Sequence, residues 1–236
     1  NFFAVNTSAL LSFFSIQAAV PTLSLILPLG ISFYTFQSSG YVIDVYRGKI
    51  QPDRNLAKFA LFVSFFPQIV QGPISRYSQL AHQLYEGHKA DYMRIKFGAQ
   101  LVLWGLFKKL VIADRAGVIV DTIFNGQAQH EGFTVFFGAM LYTIQVYGDF
   151  SGGIDVARGV AQILGIDLVN NFQRPLFATS IADFWRRWHI TLSNWMRDYI
   201  FYPLSLSKAF TRLGRTSRKV LGNSLGKLAP TFLAMV

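Results

Sequence analysis

The sequence predicts an all-α protein embedded in a membrane, with several short or broken helices. Only 14% of its 236 residues are charged, whereas an average soluble domain has about 25%. Hydrophobic residues make up 52% of the chain, and the mean hydropathy is +0.33. The apolar residues are grouped in charge-free blocks without sustained strand-like alternation, a pattern that favours membrane-embedded helices over strands.

Composition also limits the chemistry. The chain has no cysteine, which excludes a disulfide scaffold, a thiolate zinc site and a cysteine nucleophile. Its 23 Phe, 10 Tyr and 4 Trp are too many for a disordered segment. Any acid, base or nucleophile therefore has to be His, Ser, Thr, Tyr, Asp or Glu.

The net charge of +10 has two interpretations. In a soluble protein it would suggest nucleic acid, whereas in a membrane protein basic residues collect in loops beside anionic headgroups. Because the basic residues lie between apolar blocks and do not line one face, we expect a lipid bilayer as partner and no nucleic acid. Nearly every link between the blocks is basic, so charge does not orient the spans.

The apolar blocks follow one another along the chain. The first is long enough for one kinked crossing and the end of another, and the later ones are short and interrupted by Pro or Gly. Broken segments are tolerated at membrane depth where they are buried in protein or line a cavity, so we expect an enclosed site. The blocks are 1–43, 59–75, 97–113, which Lys108 and Lys109 interrupt, and 132–148, which continues past Asp149 into 156–166.

The chain begins at Asn1 and stops at Val236 inside a fresh apolar run, 228–236. We therefore expect a single membrane-embedded domain over 1–236 that is truncated at both ends.

The window 65–80 reads FFPQIVQGPISRYSQL. Pro and Gly predict a broken backbone there, and Gln68 and Gln71 need partners in an apolar block. A re-entrant loop lining a tunnel would supply them, and a Pro-kinked helix is the alternative.

The window 146–155, VYGDFSGGID, contains Asp149 and Asp155 at or beside membrane depth. An unpaired carboxylate is expensive there and is a candidate functional group. The alternatives are an ion pair, for instance with Arg158, or the cap of a short helix after the Gly pair.

The window 180–202 reads SIADFWRRWHITLSNWMRDYIFY. Ser180 followed by Asp183 is typical of a helix start. A period of 3.6 residues would place Trp185, Trp188 and His189 on one side of a single helix and the arginines on the other. Such a helix would lie at a membrane interface.

His189 is the candidate acid or base of this window. A neutral imidazole near a low-dielectric boundary can take a proton from a hydroxyl, although a lone histidine on an apolar face is more often a core residue. His82, His88 and His130 lie in polar links, and the spacing of the histidines gives little support for a metal site.

The windows FWRRWHITLSNWMRDYIFYPL, YGDFSGGIDVARGVAQILGI, LPLGISFYTFQSSGYVIDVYRG and FPQIVQGPI closely resemble the membrane-bound O-acyltransferase family. The nearest branch is the bacterial one that includes alginate O-acetyltransferases and teichoic acid D-alanyltransferases. The four windows follow the family's order from about residue 27 to residue 204.

The resemblance implies a multi-pass enzyme of the bacterial cell membrane whose helices surround a central tunnel. It would pass an acyl group, most simply acetyl, from a thioester donor to hydroxyls of an exported polysaccharide. It implies no bound cofactor or metal: the donor, an acyl-CoA or a phosphopantetheinyl carrier protein, is a co-substrate. A partner acyltransferase outside the membrane is a further expected partner.

The resemblance assigns catalysis to His189 and to a second His in a following Trp-His-Gly setting. That second His has no counterpart in residues 1–236, so we expect it beyond Val236 and expect this piece alone to be inactive. D-alanyl transfer toward teichoic acid and a transporter without chemistry are the alternatives. The residues expected to bind or position substrate are Asp149, Arg186, Arg187, Trp185, Trp188, Asn194, Gln68 and Gln71.

Overall fold

The computed structural model describes residues 30–125, 132–208 and 211–212. These residues form helices, turns and irregular segments without a β-strand, so the predicted all-α class is confirmed for them. From Ser32 onward they belong to one compact unit, whereas Gly30 and Ile31 fall in another. Predictions about the first apolar block before residue 30, His130 and the run 228–236 lie outside the described residues, and the single-domain assignment stays a prediction.

Ten α-helices, two π-helical segments and one 3-10 turn make up the described part. The α-helices are α1 Ile31–Tyr46, α2 Leu56–Val63, α3 Phe66–Ile69, α4 Tyr77–Tyr85, α5 Tyr92–Leu106, α6 Asp114–Asn125, α7 Phe133–Ile163, α8 Ile181–Arg187, α9 Ile190–Met196 and α10 Tyr202–Ser205. The π-helical segments are Phe107–Ala113 and Arg197–Phe201, and the 3-10 turn is Pro175–Phe177.

The backbone is broken between α2 and α4, as the sequence predicts. Helix α2 starts at the N-cap Asn55, whose side chain accepts hydrogen bonds from two backbone N–H groups, and it ends at Ser64. Pro67 lies in the first turn of the four-residue α3, where its missing N–H costs nothing. Residues 70–76 then run without helix, so the alternative of a single Pro-kinked helix is wrong.

Two buried clusters hold these short elements. One joins α2 and α4 to the end of α7 and the chain after it, through Phe62, Phe65, Leu80, Ala161, Ile166 and Leu168. The other joins the 70–76 segment to α1 and α9, through Ile74, Trp195 and Tyr199 with Phe33, Phe36, Ile43 and Leu192.

Helices α5 and α7 approach each other unusually closely. A Cβ on Gly98 would lie 2.7 Å from the Gly159 carbonyl oxygen, and one on Gly105 would lie 2.5 Å from the Gly152 carbonyl oxygen. Residues later in α5 meet residues earlier in α7, so the two helices are antiparallel. Small residues allow such backbone contact between helices.

Helix α7 runs unbroken through Gly148, Gly152 and Gly153, although the sequence predicts interruptions at these glycines. The prediction was wrong because Gly148 and Gly152 supply close contacts with the α5 region and do not form turns. The alternative that the carboxylates of this window cap a short helix after the Gly pair is wrong for the same reason.

The single helix predicted over 180–202 is also wrong. The chain leaves helical conformation at Trp188 (φ −98°, ψ 127°) and His189 (φ 45°, ψ 52°). In a continuous helix the Thr191 N–H would bond to the Arg187 carbonyl. Instead that carbonyl accepts from the Gln173 N–H, and Thr191 donates to Asn171.

In the parts of the chain that the structure describes, no helix combines the length and the apolar content needed to cross a membrane. The multi-pass arrangement is therefore not confirmed and stays a prediction.

Candidate functional site

His189 lies in a sharp bend between α8 and α9. Its backbone is left-handed (φ 45°), and Arg174 (φ 48°) is the other non-glycine residue of the described ranges with positive φ. Two backbone hydrogen bonds join the chain just before Arg174 to the chain around His189. The Gln173 N–H donates to the Arg187 carbonyl at 3.0 Å, and the Ile190 N–H donates to the Asn171 carbonyl at 3.0 Å. Left-handed non-glycine residues persist only where their surroundings hold them, and they are common at functional sites.

The imidazole of His189 is half-buried between a polar and an aromatic partner. Its Nδ1 lies 3.1 Å from Nδ2 of Asn171. The ring of Phe150, from α7, stands edge-on to the imidazole with centroids 4.8 Å apart. Asn171 is almost completely buried, with 1% of its surface exposed, so its amide has to satisfy its hydrogen bonds within the protein.

Asn171 is held by the start of α9. Its Oδ1 accepts from both the backbone N–H and the hydroxyl of Thr191, each at 2.9 Å. The Thr191 hydroxyl oxygen in turn accepts from the Ile74 N–H at 3.0 Å. The broken 70–76 segment, the chain after α7 and the start of α9 therefore meet at the histidine.

Burial lowers the pKa of His189 from 6.5 to about 4. The imidazole is therefore neutral at pH 7. A neutral imidazole carries one donor and one acceptor nitrogen, which is the state that acid/base or orienting chemistry requires.

Trp188 anchors the bend within a cluster of aromatic rings. It stacks on Phe184 at 5.5 Å and meets the edges of Phe172 at 4.9 Å and Phe150 at 6.4 Å. Such pairs favour specific ring geometries, so the cluster fixes the peptide that enters His189.

A cavity of about 830 Å³ adjoins this bend. Asn171 and Phe172 lie on its wall, so the cavity reaches the hydrogen-bond partner of His189 and not the imidazole itself. Five basic side chains and two carboxylates make the wall electropositive. The basic ones are Lys108, Arg158, Arg174, Arg186 and Arg187, and the carboxylates are Asp155 and Asp183.

One face of this cavity carries a buried cation. Lys108 is 8% exposed, and its Nζ lies 2.6 Å from Oδ2 of Asp155 and 2.9 Å from Oγ of Ser151. Arg158 also contacts Asp155, at 3.4 Å, which confirms the ion pair weighed from the sequence. The π-helical segment Phe107–Ala113 carries Lys108, and π-turns are frequent at functional sites.

The second carboxylate of the cavity is held by the helix that precedes His189. Arg187 contacts Asp183 at 2.9 Å, whereas the more exposed Arg186 is 4.0 Å away. The hydrogen bond from Arg187 lowers the pKa of Asp183. Ser180 caps α8 as predicted, since its Oγ accepts from the Asp183 N–H at 3.1 Å.

The other predicted site residues are dispersed. Asp149 lies outside the cavity wall and pairs with Lys109 at 2.5 Å. Gln68 is fully buried and accepts from the Ser75 hydroxyl at 2.9 Å, while Gln71 packs against Gly153. Trp185 is 56% exposed and Asn194 is half-buried.

Sequence reasoning missed Asn171, Thr191 and Lys108. The adjacent asparagines 170 and 171 between apolar residues were an available signal, because a buried amide needs partners. The lysine pair at 108 and 109 inside an apolar block was another. The described residues contain no group of three or more His, Cys, Asp or Glu arranged to hold a metal.

Comparison with known proteins gives a consistent answer. The chain is 40% identical to the probable alginate O-acetylase of Pseudomonas putida over 205 residues, which are 86% of this chain and 41% of that protein. It is 36% identical to the peptidoglycan O-acetyltransferase of Helicobacter pylori over 78% of this chain and 40% of that protein. It is 32% identical to the teichoic acid D-alanyltransferase of Bacillus subtilis over 77% of this chain and 46% of that protein.

The chain thus spans less than half the length of each of these three relatives. Residues 51–218 match the sequence model of the membrane-bound O-acyltransferase family. This stretch includes the bend at His189, the Asn171 network and the basic cavity. The chain belongs to the membrane-bound O-acyltransferase family.

Proposed function

We propose that this chain is part of a bacterial membrane enzyme that moves an acyl group, most simply acetyl, from a thioester donor to hydroxyls of an exported cell-surface polysaccharide. The observation that carries this proposal is the neutral, half-buried His189 held by Asn171 beside a basic cavity.

The reaction requires a short list of groups. A hydroxyl oxygen attacks the thioester carbonyl, a base takes the hydroxyl proton, the C–O bond forms, and the C–S bond breaks. Donors have to stabilise the oxyanion, and water has to be kept away from the reactive acyl group. His189 acts as an acid/base or substrate-orienting group in this scheme.

The basic cavity suits the anionic part of a donor. Acyl-CoA and a phosphopantetheinyl carrier protein both present phosphate to the enzyme, and guanidinium groups bind phosphate well. Arg186, 74% exposed at its side chain, and Arg187 would contact that phosphate at the rim. Lys108 adds positive charge deeper in the cavity.

The remaining predicted site residues keep more modest roles. Trp188 holds the bend, and Gln68 accepts from Ser75 in the segment that supplies Ile74. Gln71 packs against Gly153 of α7. Asp149, Trp185 and Asn194 stay proposed positioning residues.

A membrane location is supported by the apolar surface. Many large apolar side chains of α5, the π-helical segment Phe107–Ala113 and α7 are exposed. A soluble monomer rarely exposes so many large apolar side chains together. They include Leu103, Trp104, Phe107, Leu110, Val111, Phe136, Phe137 and Met140. We propose that these side chains face lipid in a multi-pass protein of the cell membrane, with the exported polysaccharide or a partner acyltransferase on its outer side.

D-alanyl transfer is the second candidate. It is favoured by the 32% identity to a protein named teichoic acid D-alanyltransferase. The same site would serve, since both reactions move an acyl group from a thioester to a hydroxyl.

The test is His189→Ala in the full-length protein, expressed in a strain that lacks the native gene. We expect ester-linked acyl groups on the surface polysaccharide to be lost, while the protein accumulates normally in the membrane. Mass spectrometry of the released acyl groups separates acetyl from D-alanyl transfer.

His82→Ala is the matched control, because His82 is an exposed histidine on α4 and should leave acylation unchanged. Normal acyl content in the His189→Ala strain would contradict the role of His189. If the wild-type gene restores no acyl group, the enzyme proposal itself is wrong and a transporter becomes the better hypothesis.

A further inference from the structure

We propose that Asn171 is a positioning residue that fixes the tautomer of His189, with Nδ1 as the acceptor and the proton on Nε2. His189 then meets the reacting groups as a hydrogen-bond donor. The tautomer follows from the hydrogen-bond network alone, and its role in acyl transfer rests on the proposed function.

Two backbone N–H groups determine the direction of the hydrogen bonds in this network, because a backbone N–H can only donate. The Ile74 N–H donates to the Thr191 hydroxyl oxygen at 3.0 Å, so the hydroxyl hydrogen is free to point toward Oδ1 of Asn171, 2.9 Å away. The Thr191 N–H donates to the same Oδ1, also at 2.9 Å. Both lone pairs of that carbonyl oxygen are then used.

This arrangement determines which way the Asn171 amide faces. Turning the amide over would place its NH2 group against the Thr191 N–H, donor against donor. Because Asn171 is 1% exposed, water could not relieve that conflict. Oδ1 therefore faces Thr191, and Nδ2 faces His189.

The amide orientation in turn determines the proton on the imidazole. Nδ1 of His189 lies 3.1 Å from the donor Nδ2 and 3.3 Å from Oδ1. Since Oδ1 is already saturated, Nδ1 accepts from Nδ2. A neutral imidazole with an acceptor Nδ1 carries its proton on Nε2.

The second ring nitrogen is left for substrate. Among the described residues, the imidazole makes its hydrogen bonds through Nδ1, while Phe150 packs edge-on to the ring. A donor Nε2–H matches the thioester carbonyl oxygen, which gains negative charge as the hydroxyl attacks.

In this scheme His189 forms and breaks no covalent bond. The hydroxyl oxygen bonds to the carbonyl carbon, and the sulfur leaves with the C–S electron pair. The hydroxyl proton goes to a second imidazole, which we name as the base by chemical class, and from there to the sulfur.

The direct test is nitrogen NMR of the full-length protein, purified in detergent with 15N-labelled histidine, at pH 7. The His189 signals are those that disappear in His189→Gln. We expect Nδ1 to show the shift of an unprotonated ring nitrogen and Nε2 that of a protonated one. The reverse pattern in the wild-type protein would overturn the proposal without any variant of Asn171.

Asn171→Asp is the informative variant, because it changes the amide to a carboxylate of the same shape. A carboxylate accepts only, so Nδ1 of His189 should become protonated and Nε2 should become an acceptor. Losing one oxyanion donor costs about 10²-fold or more in kcat, and we expect that loss with little change in KM. A carboxylate beside the ring also raises the pKa of His189, and imidazolium carries a proton on Nε2. The loss of kcat relative to the wild type should therefore shrink as the pH falls.

Asn170→Asp is the matched control, since it makes the same chemical change at an exposed neighbouring position and should leave the tautomer, kcat and pH profile unchanged. An Asn171→Asp protein that keeps the wild-type tautomer would contradict the proposal. If His189→Ala abolishes transfer but Nδ1 is protonated in the wild type, the enzyme proposal stands and the tautomer proposal fails.

Discussion

The α5–α7 helix pair and the bend at His189 achieve precise geometry by opposite means. The helix pair relies on glycines at regular spacing, Gly98 and Gly105 against Gly159 and Gly152, which bring two backbones into contact. The bend relies on a strained residue and on side chains that replace lost helical hydrogen bonds. The helix pair and the π-helical segment after α5 build one wall of the cavity, and the irregular backbone of the bend presents His189.

Because the backbones of α5 and α7 are in contact, we predict that a side chain added at this contact destabilises the protein. In Gly105→Val, the Cβ would lie 2.5 Å from the Gly152 carbonyl oxygen and 2.8 Å from the Val156 backbone nitrogen. Overpacking usually costs about 1–3 kcal/mol. Because both neighbours here are backbone, we expect more than about 3 kcal/mol.

Thermal unfolding of the full-length protein in detergent measures this loss. Gly87→Val is the matched control, because a Cβ on Gly87 would meet nothing within 4 Å. Equal stability of the two variants would show that the close approach of α5 and α7 is not needed for folding.

A smaller effect is expected from removing the buried cation. Lys108→Met leaves Asp155 with Arg158, 3.4 Å away, as its remaining basic partner. Breaking a fully buried pair costs about 3–5 kcal/mol. Since Asp155 keeps a partner and some exposure, we expect about 2 kcal/mol.

The exposed Lys89→Met is the control for this substitution, and the same unfolding assay applies. A Lys108→Met protein as stable as its control would mean that the ion pair contributes nothing to the helix pair. Lys108 would then serve only to bind the anionic part of the donor.

The smallest effect concerns the helix that leads into the bend. Ser180→Ala removes the side-chain oxygen that accepts from the Asp183 N–H, and loss of such a cap costs about 1 kcal/mol. Ser78→Ala, at an exposed position in α4, should change stability by much less. If Ser180→Ala matches Ser78→Ala in the unfolding assay, the bend is held without help from the cap of α8.

The sequence predicted the helix pair and the bend unequally well. It predicted helices, the break around Pro67 and the cap at Ser180, because each depends on local residue chemistry. It failed at the glycines of α7 and at the helix over 180–202. In both places contacts with distant residues matter: the glycines of α7 pack against the α5 region, and Asn171 and Gln173 take over hydrogen bonds at the bend.

The candidate site shows the same division. His189 and the arginines at 186 and 187 stood out as residue types in an apolar setting. Asn171 and Lys108 did not, because their roles come from partners 20 and 47 residues away in the chain, Thr191 and Asp155. Periodicity reports on one helix at a time, whereas these contacts join separate elements.

The π-helical segment Phe107–Ala113 has a consequence for helical phase. A π-turn accommodates one residue more than an α-turn does, and one residue corresponds to about 100° of rotation around the helix axis. Deleting a single residue from this segment would let it relax to a regular α-helix, and the helix from α5 through α6 would stay continuous. A deletion there would therefore leave unchanged which side chains of α5 and α6 face α7, whereas a deletion inside α5 would shift the preceding residues by one position around the helix.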